Sequence, residues 1–110
     1  MARDFRNIKA WQHAHHLALE VYRSTAVFPA EEKFGLTSQL RRAAASIGAN
    51  IAEGSSRTST ADYFRFLEIA LGSLRETEHF LLLARDLDFL KGDRFITVSK
   101  LSDETARTLS

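Results

Sequence analysis

Glu76-Thr77-Glu78-His79 is the segment of this 110-residue chain that comes nearest to a catalytic signature. Four-helix bundles hold di-iron centres with a pair of Glu-x-x-His motifs and two further inward glutamates, because carboxylate oxygen and imidazole nitrogen suit iron and manganese. This chain has one such motif. A metal-dependent, di-iron-like bundle enzyme would have to use Glu76, His79 and Glu53, and it stands as the alternative reading. At about 100° per residue, Glu76 and His79 share a side with Arg65, Glu68 and Arg75, opposite Leu67, Leu71 and Leu74, so the spacing predicts a solvated face. His13 and His16 are also neighbours on a helix, with Glu20 one turn beyond, but three donors on one exposed helix lack the supporting hydrogen bonds of a functional metal site. His15 is expected to turn toward the apolar side as a packed histidine. There is no cysteine, no serine in a nucleophile elbow and no glycine-rich phosphate loop. The expectation is a protein that is not an enzyme, with no catalytic residue, metal or cofactor.

Two polar groupings remain. Gln39, Arg42, Ser46, Asn50 and Glu53 recur at spacings of three and four, which keeps five hydrogen-bonding groups along one edge of a helix. They read either as a satisfied array between helices or subunits or as a polar binding groove, and the first is preferred because buried polar groups generally need partners. Candidate phosphate contacts are Arg3, Arg6 and Lys9 at the start, Arg41 beside Arg42, and Arg57 with Arg65 further on. Aromatic residues are not expected to be interleaved with them. Fifteen basic against fourteen acidic residues give a net charge of +1, too little for bulk attraction to nucleic acid. A ring of identical subunits would gather the N-terminal arginines into one patch.

The elements that must carry these groups are helical. Leu36 to Gly54 has no charged residue between Arg42 and Glu53. Leu36, Leu40, Ala43, Ala44, Ile47 and Ile51 form its apolar stripe, while Ser38, Ala45, Gly48, Ala49 and Ala52 form a third face, small and uncharged, where a surface helix normally carries Lys and Glu. Cover on more than one side is expected. Before it, Ile8 to Phe28 is an amphipathic helix with Trp11, Ala14, Leu17, Ala18, Val21 and Tyr22 on one arc, ended by Pro29. Ser59 followed by Asp62 signals the cap of a third helix running to Gly92, about 45 Å at 1.5 Å per residue. It lines Phe64, Leu67, Leu71, Leu74, Leu81 and Leu82 on one side and a weakly polar arc of Phe66, Ala70, Ser73, Thr77, Phe80 and Ala84 beside them, so it too is expected to be packed twice. Gly72-Ser73 marks the close approach of another helix. Asp93 caps a last helix carrying Phe95, Val98, Leu101 and Leu109, predicted to be short, weak and frayed because Thr and Ser crowd it. Nothing alternates as a strand would.

The fold class expected is therefore all-α, an antiparallel up-down-up-down four-helix bundle in a single domain over 1-110. A hydrophobic share of 45% suffices for one core. MARDFRNIKAWQ is too polar for a signal peptide, and no segment approaches the ~20 apolar residues of a membrane span, so the expected setting is cytoplasmic, away from membranes.

Phe5 through Trp11, Ala14-His15, Val21-Tyr22 and Phe28-Pro29, then Gly35 through Ala43, Ser46-Ile47 with Asn50-Ile51-Ala52-Glu53-Gly54, and Phe66-Leu67 with Ile69-Ala70, Gly72-Ser73-Leu74 and Glu76 together resemble the family of 23S rRNA intervening-sequence proteins. The resemblance implies an antiparallel four-helix bundle that assembles into a homo-oligomeric ring, usually described as a pentamer. The residues Gln39, Arg42, Ser46, Asn50, Glu53 and Glu76 lie within the motifs that carry it and form the family-motif polar network, whereas Ala45, Gly48, Ala49, Ala52, Gly72 and Ser73 are the oligomer or helix-packing positions expected from their own small-residue faces. The family is similar to the accessory protein of diversity-generating retroelements, which binds a reverse transcriptase and nucleic acid, so RNA or an RNA-handling protein is the implied partner. No catalytic residue is assigned to it. Its members commonly have Pro where this chain has Gly48, and the last helix here looks short for the family.

Overall fold

Leu17, Val21, Leu40, Ile47, Ile51, Leu74 and Val98 are all withdrawn from water. Each full burial of such a side chain favours folding by about 1.5–3 kcal/mol, an upper figure because unfolded chains are already partly collapsed. The residues that bring them together form four helices in a computed structural model that describes residues 3–109, with two short 3₁₀ turns and no strand among the described residues. The helices are α1 (Lys9–Thr25), α2 (Leu36–Ser55), α3 (Thr60–Asp86) and α4 (Gly92–Leu109).

Local chemistry sets their ends. Ser59 Oγ accepts the Asp62 N–H at 3.0 Å, the cap that the Ser59/Asp62 spacing predicts for α3. Gly35 has no side chain to cap α2, and the Glu32 carboxylate accepts the Leu36 N–H at 3.0 Å instead. That contact also places a negative charge at the positive end of the helix. After α3, Asp88 adopts φ 65°, and the Phe89 N–H reaches back to the Ala84 carbonyl at 2.9 Å while the Asp88 N–H bonds to Arg85 at 3.0 Å. This is a Schellman closure with aspartate where glycine is usual. The third helix therefore stops at Asp86, and Gly92, expected as its terminator, opens α4 instead.

The fourth helix is also longer than its composition suggests. It runs 18 residues, with Val98, Ser102 and Thr105 buried. Its hydroxyls do not compete with the helix, because Thr97, Thr105 and Thr108 return their O–H groups to carbonyls of the preceding turn and Ser102 donates to Glu78 at 3.2 Å.

Each helix meets two others: α2 lies between α1 and α3, and α4 closes against α1 and α3, leaving α1–α3 and α2–α4 as diagonals. Arg41 near the start of α2 reaches Thr25 at the end of α1, whereas Gly48 further along faces Trp11. Arg42 of α2 meets Glu76 of α3. His13 faces Glu104 at 3.5 Å, and Arg94 reaches Glu20 at 3.4 Å. The body measures 46 × 25 × 18 Å.

Inside α3 the buried stripe is Phe66, Ala70, Leu74, Thr77, Leu81 and Ala84. Phe64 and Leu82, expected on the core side, are exposed. Apolar residues span more than half the circumference of this helix, so periodicity defined its inward direction poorly. On α1, Tyr22 and His15 are likewise outside rather than packed into the core. His15 instead stacks on Trp11, with ring centroids 4.8 Å apart.

Candidate functional site

Three of the six candidate phosphate contacts gather where the N-terminal segment crosses the α2–α3 turn. The Arg3 guanidinium lies 4.1 Å from the centre of the Tyr63 ring and donates to the Arg57 carbonyl at 3.3 Å. Arg57 and Arg65 take the Phe66 ring at 4.8 and 4.7 Å. Cations over ring faces are attracted by the quadrupole, and the contacts hold the guanidiniums in defined planes. Aromatic residues are thus interleaved with arginines in space, against the expectation from the sequence, and Tyr63-Phe64-Arg65-Phe66 shows the same interleaving along the chain. Tyr63 was not among the candidates and Phe66 was read only as a packing position, because Arg3 and Arg57 come from other segments; the available signal was Tyr63, Arg65 and Phe66 within one helical turn.

Charge at this corner is already partly answered. Arg57 pairs with Glu53 at 2.8 Å and Arg65 with Asp62 at 3.4 Å. Arg57 Nε is buried without an oxygen acceptor. Arg6, a fourth candidate, is held by Asp4 at 3.0 Å, and this hydrogen bond lowers the Asp4 carboxyl below its ordinary pKa and raises that of Arg6. Lys9 sits apart on α1 beside Gln12, His13 and His16. Arg41 is at the other end of α2, stacked on Tyr22 at 4.6 Å and bonded to Thr25 Oγ1 at 2.7 Å.

The small-residue face of α2 opens onto a groove. Trp11, His15, Ala18, Leu19 and Tyr22 of α1 form one wall, and Ala45, Gly48 and Ala49 of α2 the other, around a volume of about 320 Å³. Ala45 and Ala49 are exposed there. Gly48 is not: an added Cβ would lie 3.3 Å from Trp11 Nε1, so this glycine admits the indole within the chain. Ala52 and Ser73 are half-buried, while Gly72 is exposed and has nothing within 4 Å of an added Cβ. Within the chain no helix comes close at Gly72. The double cover expected for α3 is supplied on two sides by α2 and α4, leaving Phe64, Ile69, Leu82 and Leu83 outside.

The polar stripe does not form one buried network. Ser46 returns its hydroxyl to the Ala43 carbonyl at 2.8 Å, Asn50 donates to the Ser46 carbonyl at 2.8 Å, and Glu53 turns to Arg57. Gln39 is exposed. Only Arg42 crosses to another helix, meeting Glu76 at 3.0 Å. This leaves the residues of the di-iron alternative apart, since Glu53 and Glu76 have separate arginine partners and His79 packs beside Phe80. Among the described residues no three His, Asp or Glu side chains converge on a point where a metal would sit.

Comparison with known proteins agrees with this helical arrangement. The chain is similar to a crystallised protein of unknown function from the S23 ribosomal protein family of Bacteroides thetaiotaomicron, with 26% identity and a TM-score of 0.82 over 91% of this chain and 94% of that one. No curated protein matches it. The sequence pattern of the 23S rRNA-intervening sequence proteins matches residues 6–110, and by that near-complete match the chain belongs to their family.

Proposed function

We propose that this protein is a non-enzymatic, homo-oligomeric scaffold or adaptor of the cytoplasm, an up-down-up-down bundle that forms a ring and engages RNA or an RNA-handling protein through the surface the ring creates. The helix contacts support the topology: Arg41 with Thr25 but Gly48 with Trp11, and Glu78 with Ser102 but Arg85 with Phe95, pair the start of one helix with the end of the next.

The observation that carries the assembly is the open groove between α1 and α2. Its wall is a helix face without charge, and Leu19 and Tyr22 beside it are 40% and 47% exposed. An apolar surface of this kind gains from being covered. A closed ring needs two different faces on each copy, one for each neighbour. Ile69, Gly72 and Leu83 share a side of α3 with Arg65 and Glu76 and supply a second surface of mixed character, remote from the groove in sequence. The RNA half of the reading rests on the family's description as 23S rRNA-intervening sequence proteins.

Ala45→Glu and Ala49→Glu test the assembly. Each is expected to lower the solution mass measured by light scattering while helical circular dichroism is retained. Full assembly in both variants refutes it. RNA binding is expected to weaken as salt rises, because phosphate contacts release counterions. Absence of binding to any structured or single-stranded RNA at low salt removes that half of the reading.

A further inference from the structure

At the end of the bundle opposite the Arg3 corner, the chain between α1 and α2 folds over a concave surface of about 380 Å³ lined by Tyr22, Lys33, Phe34, Thr37, Arg41 and Arg42. Its charge is strongly one-sided. Arg42 shares its charge with Glu76, but among the described residues neither Lys33 nor Arg41 is in an ion pair. Arg41 is fixed by neutral acceptors alone, Thr25 Oγ1 at 2.7 Å and the Tyr22 carbonyl at 3.4 Å, and by the Tyr22 ring. Its cation is therefore positioned without being neutralised.

Phe34 gives this basic pocket a second chemistry. The residue is 89% exposed, more than any other large apolar residue among the described residues. The Lys33 ammonium stands 5.4 Å from the ring centre. An exposed aromatic ring next to cations that have no carboxylate partner matches one repeating unit of a single strand, a flat base joined to a phosphate. A duplex fits less well, because its bases are already stacked on each other and present no free face.

We infer that this pocket binds single-stranded RNA, with phosphate on Lys33 and Arg41 and an unpaired base on Phe34. The inference rests on the RNA half of the proposed function and gives it a location other than the arginine corner.

The test is fluorescence anisotropy of labelled oligouridylate with the full chain at low salt, using Phe34→Ala, Arg41→Gln and, as a control on the opposite end, Arg107→Gln. Phe34→Ala is expected to weaken binding roughly tenfold, as loss of one stacked base does. Solution mass and melting should be unchanged, because the ring is not part of the core. Arg41→Gln is expected to weaken binding and flatten its salt dependence, and Arg107→Gln to do neither. Unlabelled duplex RNA of the same length should compete poorly. If wild type binds and Phe34→Ala binds equally well, the pocket assignment is wrong while the RNA reading stands. Duplex competing as well as the single strand also overturns the assignment. A lower mass for Phe34→Ala makes the ring a contact between copies and overturns it too. Failure of wild type to bind any RNA removes both.

Discussion

The same substitution at two helical glycines is expected to move stability in opposite directions. In an open helix interior alanine is favoured over glycine by about 0.5–1 kcal/mol, because glycine loses more backbone freedom on folding. Gly72 on α3 has no atom within 4 Å of an added Cβ, so Gly72→Ala should keep the whole gain. At 4–8 °C per kcal/mol for a small domain, this raises Tm by about 2–8 °C. At Gly54 the same methyl would lie 2.5 Å from Phe66 Cβ and 3.3 Å from both Phe66 Cγ and Tyr63 Cδ1. Ordinary carbon contacts are ~3.5–4.0 Å, so the first of these is about 1 Å too short. Phe66 Cβ is one bond from the α3 backbone, and rotating the ring does not move it.

To admit the methyl, α2 and α3 must separate, and overpacking of this sort costs about 1–3 kcal/mol. Set against the helix gain, Gly54→Ala should lose about 0.5–2 kcal/mol and about 2–16 °C in Tm. Thermal unfolding by circular dichroism measures both variants, at matched concentrations because self-association makes Tm concentration-dependent. A Gly54→Ala protein as stable as wild type would refute the packing argument. Gly72→Ala carries a second readout, its mass. Lowered Tm with unchanged mass refutes the open position, whereas lowered mass places a second copy against Gly72.

Three further outcomes follow from side chains at helix ends and on the surface. Asp88→Gly should raise stability by about 1 kcal/mol, because the residue closing α3 has φ 65°, a region costly for residues with a Cβ; unchanged or lower Tm contradicts the Schellman assignment. Arg42 and Glu76 are 61% and 39% exposed in their side chains, so a double-mutant cycle with Arg42→Gln and Glu76→Gln should give a coupling below about 1 kcal/mol. A much larger coupling would mean that the pair is covered in the assembly. Asp4 has its pKa lowered by the Arg6 hydrogen bond, so its contribution to the first turn is complete above the ordinary aspartate pKa and disappears as pH falls through the lowered value. Nuclear magnetic resonance titration of Asp4 and of the Arg6 amide checks this, and an Asp4 titrating at or above its free value contradicts it.

The helices were legible wherever one face alone was apolar or a cap used ordinary chemistry. Leu36, Leu40, Ala43, Ala44, Ile47 and Ile51 are all buried as their spacing requires, and Ser59 caps α3. Reading failed where the usual residue was replaced. Asp88 does the work of a glycine, so α3 appeared to run on to Gly92. Threonines in α4 looked like helix breakers because their propensity was weighed without the carbonyls that accept their hydroxyls. Gly48 looked like an outward member of the small-residue face, and only the position of Trp11 shows that it serves the chain's own packing.

The basic residues illustrate a different limit. Sequence lists cations, but whether a cation remains free for phosphate depends on which carboxylate the fold brings to it. Arg6, Arg57 and Arg65 each acquire one, from Asp4, Glu53 and Asp62. Arg41 has Thr25 and Tyr22 as its partners and keeps its charge. Lys33 was not among the candidates, because it lies in the Glu-rich connection after Pro29, yet Glu32 is turned toward the start of α2 by its bond to Leu36. That bond leaves Lys33 beside Phe34 with no carboxylate of its own. The same capping contact that begins α2 thus separates the charges of the connection, and a Glu32→Ala variant should both weaken the helix start and leave Lys33 no more positive than before. If Glu32→Ala instead strengthens oligouridylate binding severalfold at low salt, Glu32 was screening the pocket, and the charge separation drawn from its bond to Leu36 is incorrect.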